Sequence, residues 1–192
     1  MNRIIILVIS ISLLLYSCAS MNSGSENLNE LDACFKQIPS SLLTSLKQLY
    51  SDYRIVTVSD YFKGTIEREK QYHDGNECLS VTKGDFDGNK KTDFALLVTD
   101  VSGNEMLIVA RNKNNSWVID KLLDFNQGRL GTSYVNTLPP GNYADVWGGG
   151  KEIGRVEKFS SDKQGVITGT IESSGVAFFF TEDRWIHIWL SD

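Results

Sequence analysis

Asp85-Phe86-Asp87-Gly88-Asn89-Lys90-Lys91-Thr92-Asp93 is the segment of this chain whose residue types and spacing could do chemistry. Counting from Asp85, oxygen-bearing side chains fall at positions 1, 3, 5 and 9. A hard cation such as calcium takes about 6–8 oxygen ligands at roughly 2.3–2.6 Å. A tightly wound loop presents such oxygens at alternate positions, and the backbone carbonyl of Lys91 adds one from position 7. The expected ligand set is therefore Asp85, Asp87, Asn89, Lys91 (through its carbonyl) and Asp93. Three clustered carboxylates repel one another, and a divalent ion relieves that repulsion. The alternative is a solvated acidic turn without an ion.

The cysteines offer a second chemistry. Cys34 and Cys78 are an even pair, and in an oxidising compartment a single disulfide is expected between them. It would close a loop of more than forty residues, worth roughly 3–4 kcal/mol in the chain-entropy picture. Two buried free thiols are the alternative. Neither cysteine has a second cysteine or a histidine at zinc-ligand spacing.

Conventional catalytic signatures are missing from the sequence. His73 and His187 are the two histidines. His187 sits between tryptophans and is expected to pack, while His73 lies in a polar turn. There is no Gly-x-Ser-x-Gly, His-Glu-x-x-His or phosphate loop. A carboxylate pair for glycoside cleavage could draw on Glu67, Glu69, Glu77 or Glu105, and nothing singles one out. Leu138 to Lys151 is expected to be a loop. Tyr143, Trp147, Gly148, Gly149 and Gly150 make it a candidate binding loop.

The elements that must position these groups are legible in outline. Leu42, Leu43, Leu46, Leu49 and Tyr50 follow Pro39-Ser40-Ser41 at helical spacing. Strand-like runs are Arg54 to Val58, Leu79 to Lys83, Phe94 to Thr99, Met106 to Arg111, Trp117 to Leu122, Val166 to Glu172, Val176 to Thr181 and Trp185 to Leu190. The last two are apolar on both faces, so both sides must be covered, one of them by the helix or by a partner. The expected fold class is α+β, an N-terminal helix packed on a mainly antiparallel sheet. A propeller is not expected, because the acidic motif occurs once.

At the N-terminus, Arg3 and the apolar run Ile4 to Leu15 make a signal segment too short to span a bilayer, which needs about 20 apolar residues. Leu15-Tyr16-Ser17-Cys18 resembles the lipobox of bacterial lipoproteins. That resemblance implies cleavage after Ser17 and acylation of Cys18, with palmitate-type chains anchoring the protein. Ala19 at the next position implies outer-membrane residence, facing the periplasm, in a Gram-negative host. The expected organisation is a signal peptide over 1–17, a Ser/Asn-rich tether over 18–30 and a single domain over 31–192. Formal net charge is −5. Loss of Arg3 makes the mature chain more acidic, which argues against nucleic acid and gives no polybasic patch for anionic lipid.

Gly84-Asp85-Phe86-Asp87-Gly88-Asn89 through Asp93-Phe94-Ala95-Leu96-Leu97-Val98 resembles the calcium loop of FG-GAP/VCBS-type repeats, an acidic loop between two β-strands. Carried over, Asp85, Asp87, Asn89 and Asp93 are the matching ligands. The family favours glycine at loop position 6, where this chain has Lys90. That residue would carry a left-handed backbone cost and set a positive charge beside the ion. A wider resemblance is to a group of small exported bacterial proteins. They share an N-terminal helix (Leu42 to Tyr50), a cysteine before the acidic loop (Cys78) and a Trp-rich C-terminal hairpin (Val176 to Asp192). This group brings no established activity. The functional expectation is a membrane-anchored envelope lipoprotein acting as a non-enzymatic binding module, with a protein or envelope polymer as partner. The alternatives are an inhibitor or immunity protein against a periplasmic hydrolase, and an envelope-polymer hydrolase.

Overall fold

The computed structural model describes residues 32–71, 75–114, 116–125, 128, 130–173 and 175–190. The signal segment, Cys18, the tether and His73 lie outside the described residues. Those described form a layered, mainly antiparallel β structure with two α-helices, and neither a closed barrel nor a propeller. None of the described helices is long and apolar enough to cross a membrane.

The first sheet is built on two strands, β3 (Asp93–Thr99) and β4 (Glu105–Lys113), joined by the tight turn at Asp100 to Asn104. Strand β5 (Ser116–Phe125) pairs with the far side of β4. On the other side of β3, β1 (Arg54–Ile55) and β2 (Val81–Gly84) share one edge, end to end. Side chains alternate across a strand. Phe94, Leu96 and Val98 therefore face one way and Ala95 and Leu97 the other, and all are buried.

Helix α1 (Ser40–Leu49) covers the first of these faces through Leu42 and Leu46. Pro39 holds the N-cap position, and no side chain caps the helix. Leu49 is 64% exposed, and Tyr50 packs against the core in its stead. A second helix, α2 (Lys63–Glu69), buries Ile66. The opposite face of the first sheet packs on a second sheet, ordered β11-β10-β9-β6. Its strands are β6 (Ser133–Leu138), β9 (Gly165–Thr170), β10 (Gly175–Thr181) and β11 (Arg184–Leu190).

The outer face of β10 and β11 departs from expectation. It is covered by a two-stranded ribbon, not by the helix. The ribbon is β7 (Gly141–Ala144) paired with β8 (Lys158–Ser161). Tyr143 and Phe159 lie against Phe179, with ring centroids 4.8 and 5.3 Å away. The reason is geometric. Helix α1 is already engaged on the far side of the first sheet, two layers away, so another apolar surface must close the stack.

Cys34 and Cys78 form the expected disulfide, with Cα atoms 5.1 Å apart and a sequence separation of 44. Ser80 donates to Cys34 Sγ at 3.2 Å, and Asp32 accepts from the N–H groups of Cys34 and Val58. The bridge therefore pins the segment before α1 to the entry of β2. Replacing both cysteines by serine is expected to cost about 3–4 kcal/mol through the freed loop, lowering the thermal midpoint by roughly 6–16 °C. Thermal unfolding with and without reductant measures this, and an unchanged midpoint would refute the assignment of a stabilising role.

Candidate functional site

The acidic loop is the connection of the β2–β3 hairpin, where Gly84 pairs with Asp93. Phe86 anchors it, fully buried between the sheets. Two carboxylates organise its backbone. Asp85 accepts from the N–H groups of Gly88 and Lys90, at 2.8 and 2.9 Å. Asp93 accepts from Phe86 N–H at 2.9 Å and from Asn112 N–H at 2.8 Å, which ties the loop to β4. Lys90 adopts φ 65°, the left-handed conformation expected for position 6, and Gly88 adopts φ 79°.

Asp85, Asp87 and Asp93 each bring a carboxylate oxygen within 4.8 Å of the others, an arrangement that could hold a metal ion. Asp93 is fully buried, and that burial raises its pKa to about 6. The remaining expected ligands are differently engaged. Asn89 Oδ1 accepts from Lys91 N–H, and its Nδ2 donates to the Asn112 carbonyl at 2.9 Å. Lys91 lines a neighbouring cleft. Behind the carboxylates stands a cation that sequence reasoning did not single out. Arg111 is buried, donates through Nε to Asp120 at 2.7 Å, and lies over the Phe180 ring. Its Nη1 is 3.9 Å from Asp87 Oδ2. Beside the loop, Asn112 Oδ1 and Arg111 Nη1, one acceptor and one donor, are both buried with no hydrogen-bond partner among the described residues.

The expected loop over Leu138 to Lys151 is interrupted by β7, because Tyr143 packs inward on Phe179, and a second constellation sits under the part that follows the strand. Asp145 is buried and receives both arms of Arg155, Nε and Nη2 each at 2.9 Å. It also accepts from the N–H groups of Trp147 and Trp189. The guanidinium holds its carboxyl well below the usual carboxylate range. This fork closes the base of the 145–155 loop against β11. Above it, Val146, Trp147 and Ile153 are exposed, Trp147 at 69% and Ile153 at 100%. Gly148 and Gly149 take positive φ at the turn. Tyr143 is turned inward onto Phe179, with its hydroxyl donating to the Pro139 carbonyl.

The sequence candidates for acid–base chemistry are dispersed. Glu105 is buried and accepts from Gly131 N–H, and burial raises its pKa. Glu77 pairs with Lys70, Glu67 with Lys63 and Glu69 with Arg68. His187 packs beside Phe178, with Nε2 3.2 Å from Glu152. No protein-family model, curated protein or solved structure matches this chain.

Removing Asp145 would leave the Arg155 guanidinium, beneath the loop, with only the exposed Glu152 at 3.3 Å as partner. Asp145→Ala is expected to lower the thermal midpoint by on the order of 10 °C. A paired Asp145→Leu, Arg155→Met change should cost less than the two single changes summed. The depressed carboxyl sets the pH dependence. Its contribution is complete above the ordinary carboxylate range and is lost as pH falls below that range toward the folded value. Melting of Asp145→Ala indistinguishable from wild type would overturn this clamp.

Proposed function

We propose that this protein is a lipid-anchored component of the bacterial envelope, held by Cys18, whose folded body is a non-enzymatic binding module. The observation that carries this reading is the 145–155 loop. Trp147 and Ile153 are displayed to solvent while the base beneath them is clamped by a buried fork ion pair. Exposed aromatic and aliphatic anchors on a fixed base suit protein recognition better than catalysis. The disulfide agrees with an exported location.

Crosslinking in intact cells tests the whole reading. Wild-type protein should fractionate with membranes and capture a defined partner, and Cys18→Ser should leave the membrane fraction. Trp147→Ala with Ile153→Ser should reduce capture by tenfold or more without altering melting. Unchanged capture, or unchanged fractionation of Cys18→Ser, would overturn the corresponding half.

The same reading gives the β2–β3 loop a structural calcium ion, as the FG-GAP/VCBS resemblance implies. Asp85, Asp87 and Asp93 would hold it. Arg111 and Lys90 oppose it with positive charge, so affinity should be weak, about 0.1–1 mM as in extracellular modules. Calcium at 1 mM would then stabilise by about 0.4–1.4 kcal/mol. Asp87→Ala should abolish the gain. Lys90→Gly should enlarge it, since glycine relieves the positive φ and a repelling charge leaves. Calorimetry on chelator-stripped protein decides: absence of both binding heat and a melting shift at millimolar calcium leaves the loop an acidic turn.

A further inference from the structure

The start of α1, the β2–β3 loop and the adjoining ends of β4 and β5 enclose an open cleft of about 820 Å³. Ligand clefts commonly run from about 300 to 1,000 Å³. Lys83, Lys90 and Lys91 line this one. None of the three forms an ion pair with a described residue. The one acidic residue in the wall, Asp85, already spends both oxygens on the loop's own N–H groups. Three lysines on the wall of one concavity give it local positive charge in a chain whose net charge is −5. Like charges so gathered repel, and a bound anion removes that repulsion.

The rest of the wall narrows the class of anion. Trp117 stands half-buried at the cleft edge, edge-on to Phe94 at 5.8 Å, with its indole N–H donating to Ser41. Gln37 and Gln164 add amides: Gln37 Nε2 is engaged by Ala33 and Asn76 and Gln164 Oε1 by Asp85 N–H, which leaves Gln37 Oε1 and Gln164 Nε2 for a ligand. An aromatic surface next to amides suits a sugar ring, which has an apolar face and a hydroxyl rim. A flat membrane could not bring headgroups into a concave site, and a single small ion would leave most of the volume unfilled. We propose that the cleft binds an acidic oligosaccharide, with Lys83, Lys90 and Lys91 holding its carboxylate or phosphate groups. This stands on the cleft and does not depend on the 145–155 loop.

Titration calorimetry on the full chain at about 0.1 M salt tests it, with trigalacturonate, maltotriose and triglutamate as probes. Trigalacturonate should bind at least tenfold more tightly than either of the others, and its affinity should fall with added salt. Lys83→Gln, Lys90→Gln and Lys91→Gln should each weaken it by about two- to fivefold. Their melting should match wild type. Equal binding of triglutamate would show a peptide groove sensing charge alone, and equal binding of maltotriose a neutral sugar site. Either result overturns the proposal, as does no binding, or unaltered binding by the triple lysine variant. The titrations are run in chelator and again in calcium. The chelated series tests the cleft by itself. The calcium series rests on the calcium reading: an ion held by Asp85, Asp87 and Asp93 would add positive charge beside the lysines, so it should tighten trigalacturonate binding.

Discussion

Strands β3 and β4 send apolar side chains out of both faces at once, and the layering of the molecule follows from that. An alternating strand needs one cover, whereas a strand such as Phe94 to Val98 needs two. Helix α1 and the second sheet supply them. The second sheet inherits the same problem, because Ala177, Phe179, Ile186 and Ile188 point away from the first sheet. The β7–β8 ribbon ends the series, since its outward residues Asn142 and Ala144 can meet water. Each added layer is narrower and less apolar than the one it covers. The stack therefore terminates without an exposed apolar sheet face among the described residues.

Burial of this kind leaves charged groups in awkward places, and both candidate sites arise where it does. Asp93 opens β3 at the point where the strand enters the core, so its carboxylate is fully buried and its pKa is raised. Two backbone donors receive it, one from the loop and one from β4. Asp145 meets the same burial with a different solution, a guanidinium fork that pushes its pKa down. The contrast explains the division of labour. A carboxylate satisfied by neutral N–H groups keeps an appetite for positive charge. One satisfied by an arginine has none left, and serves as a hinge pin for the loop it carries.

The sequence disclosed features written in short stretches. The unbroken apolar run of β3, the helical spacing of Leu42 and Leu46, the cysteine pair and the carboxylate spacing of the acidic loop were all legible. The ribbon was not, because Tyr143 and Phe159 each lie in a polar context and acquire meaning only when paired over Phe179. Strand β6 was missed because Val135 is its one fully buried apolar residue among Tyr, Asn and Thr. The Asp145–Arg155 fork spans ten residues with no periodic signal. The lysine cleft draws on positions near 37, 83, 117 and 164, which only the folded chain brings together.

The acidic loop shows why motif spacing is a weak guide to ion occupancy. Asp85 and Asp93 sit at the spacing a calcium loop requires, and that spacing is also what lets them cap the loop's own N–H groups. A β-hairpin loop of this length has several orphan donors, and carboxylates at its first and last positions satisfy three of them, together with Asn112 N–H on β4. The fold thus has reason to keep these residues whether or not an ion is bound. What hydrogen bonding does not account for is the third carboxylate. Asp87 accepts a single longer bond from Asn89 at 3.2 Å and has Arg111 at 3.9 Å, too far for a direct hydrogen bond. Its charge is the least satisfied of the three, and the burden of the calcium reading rests on it.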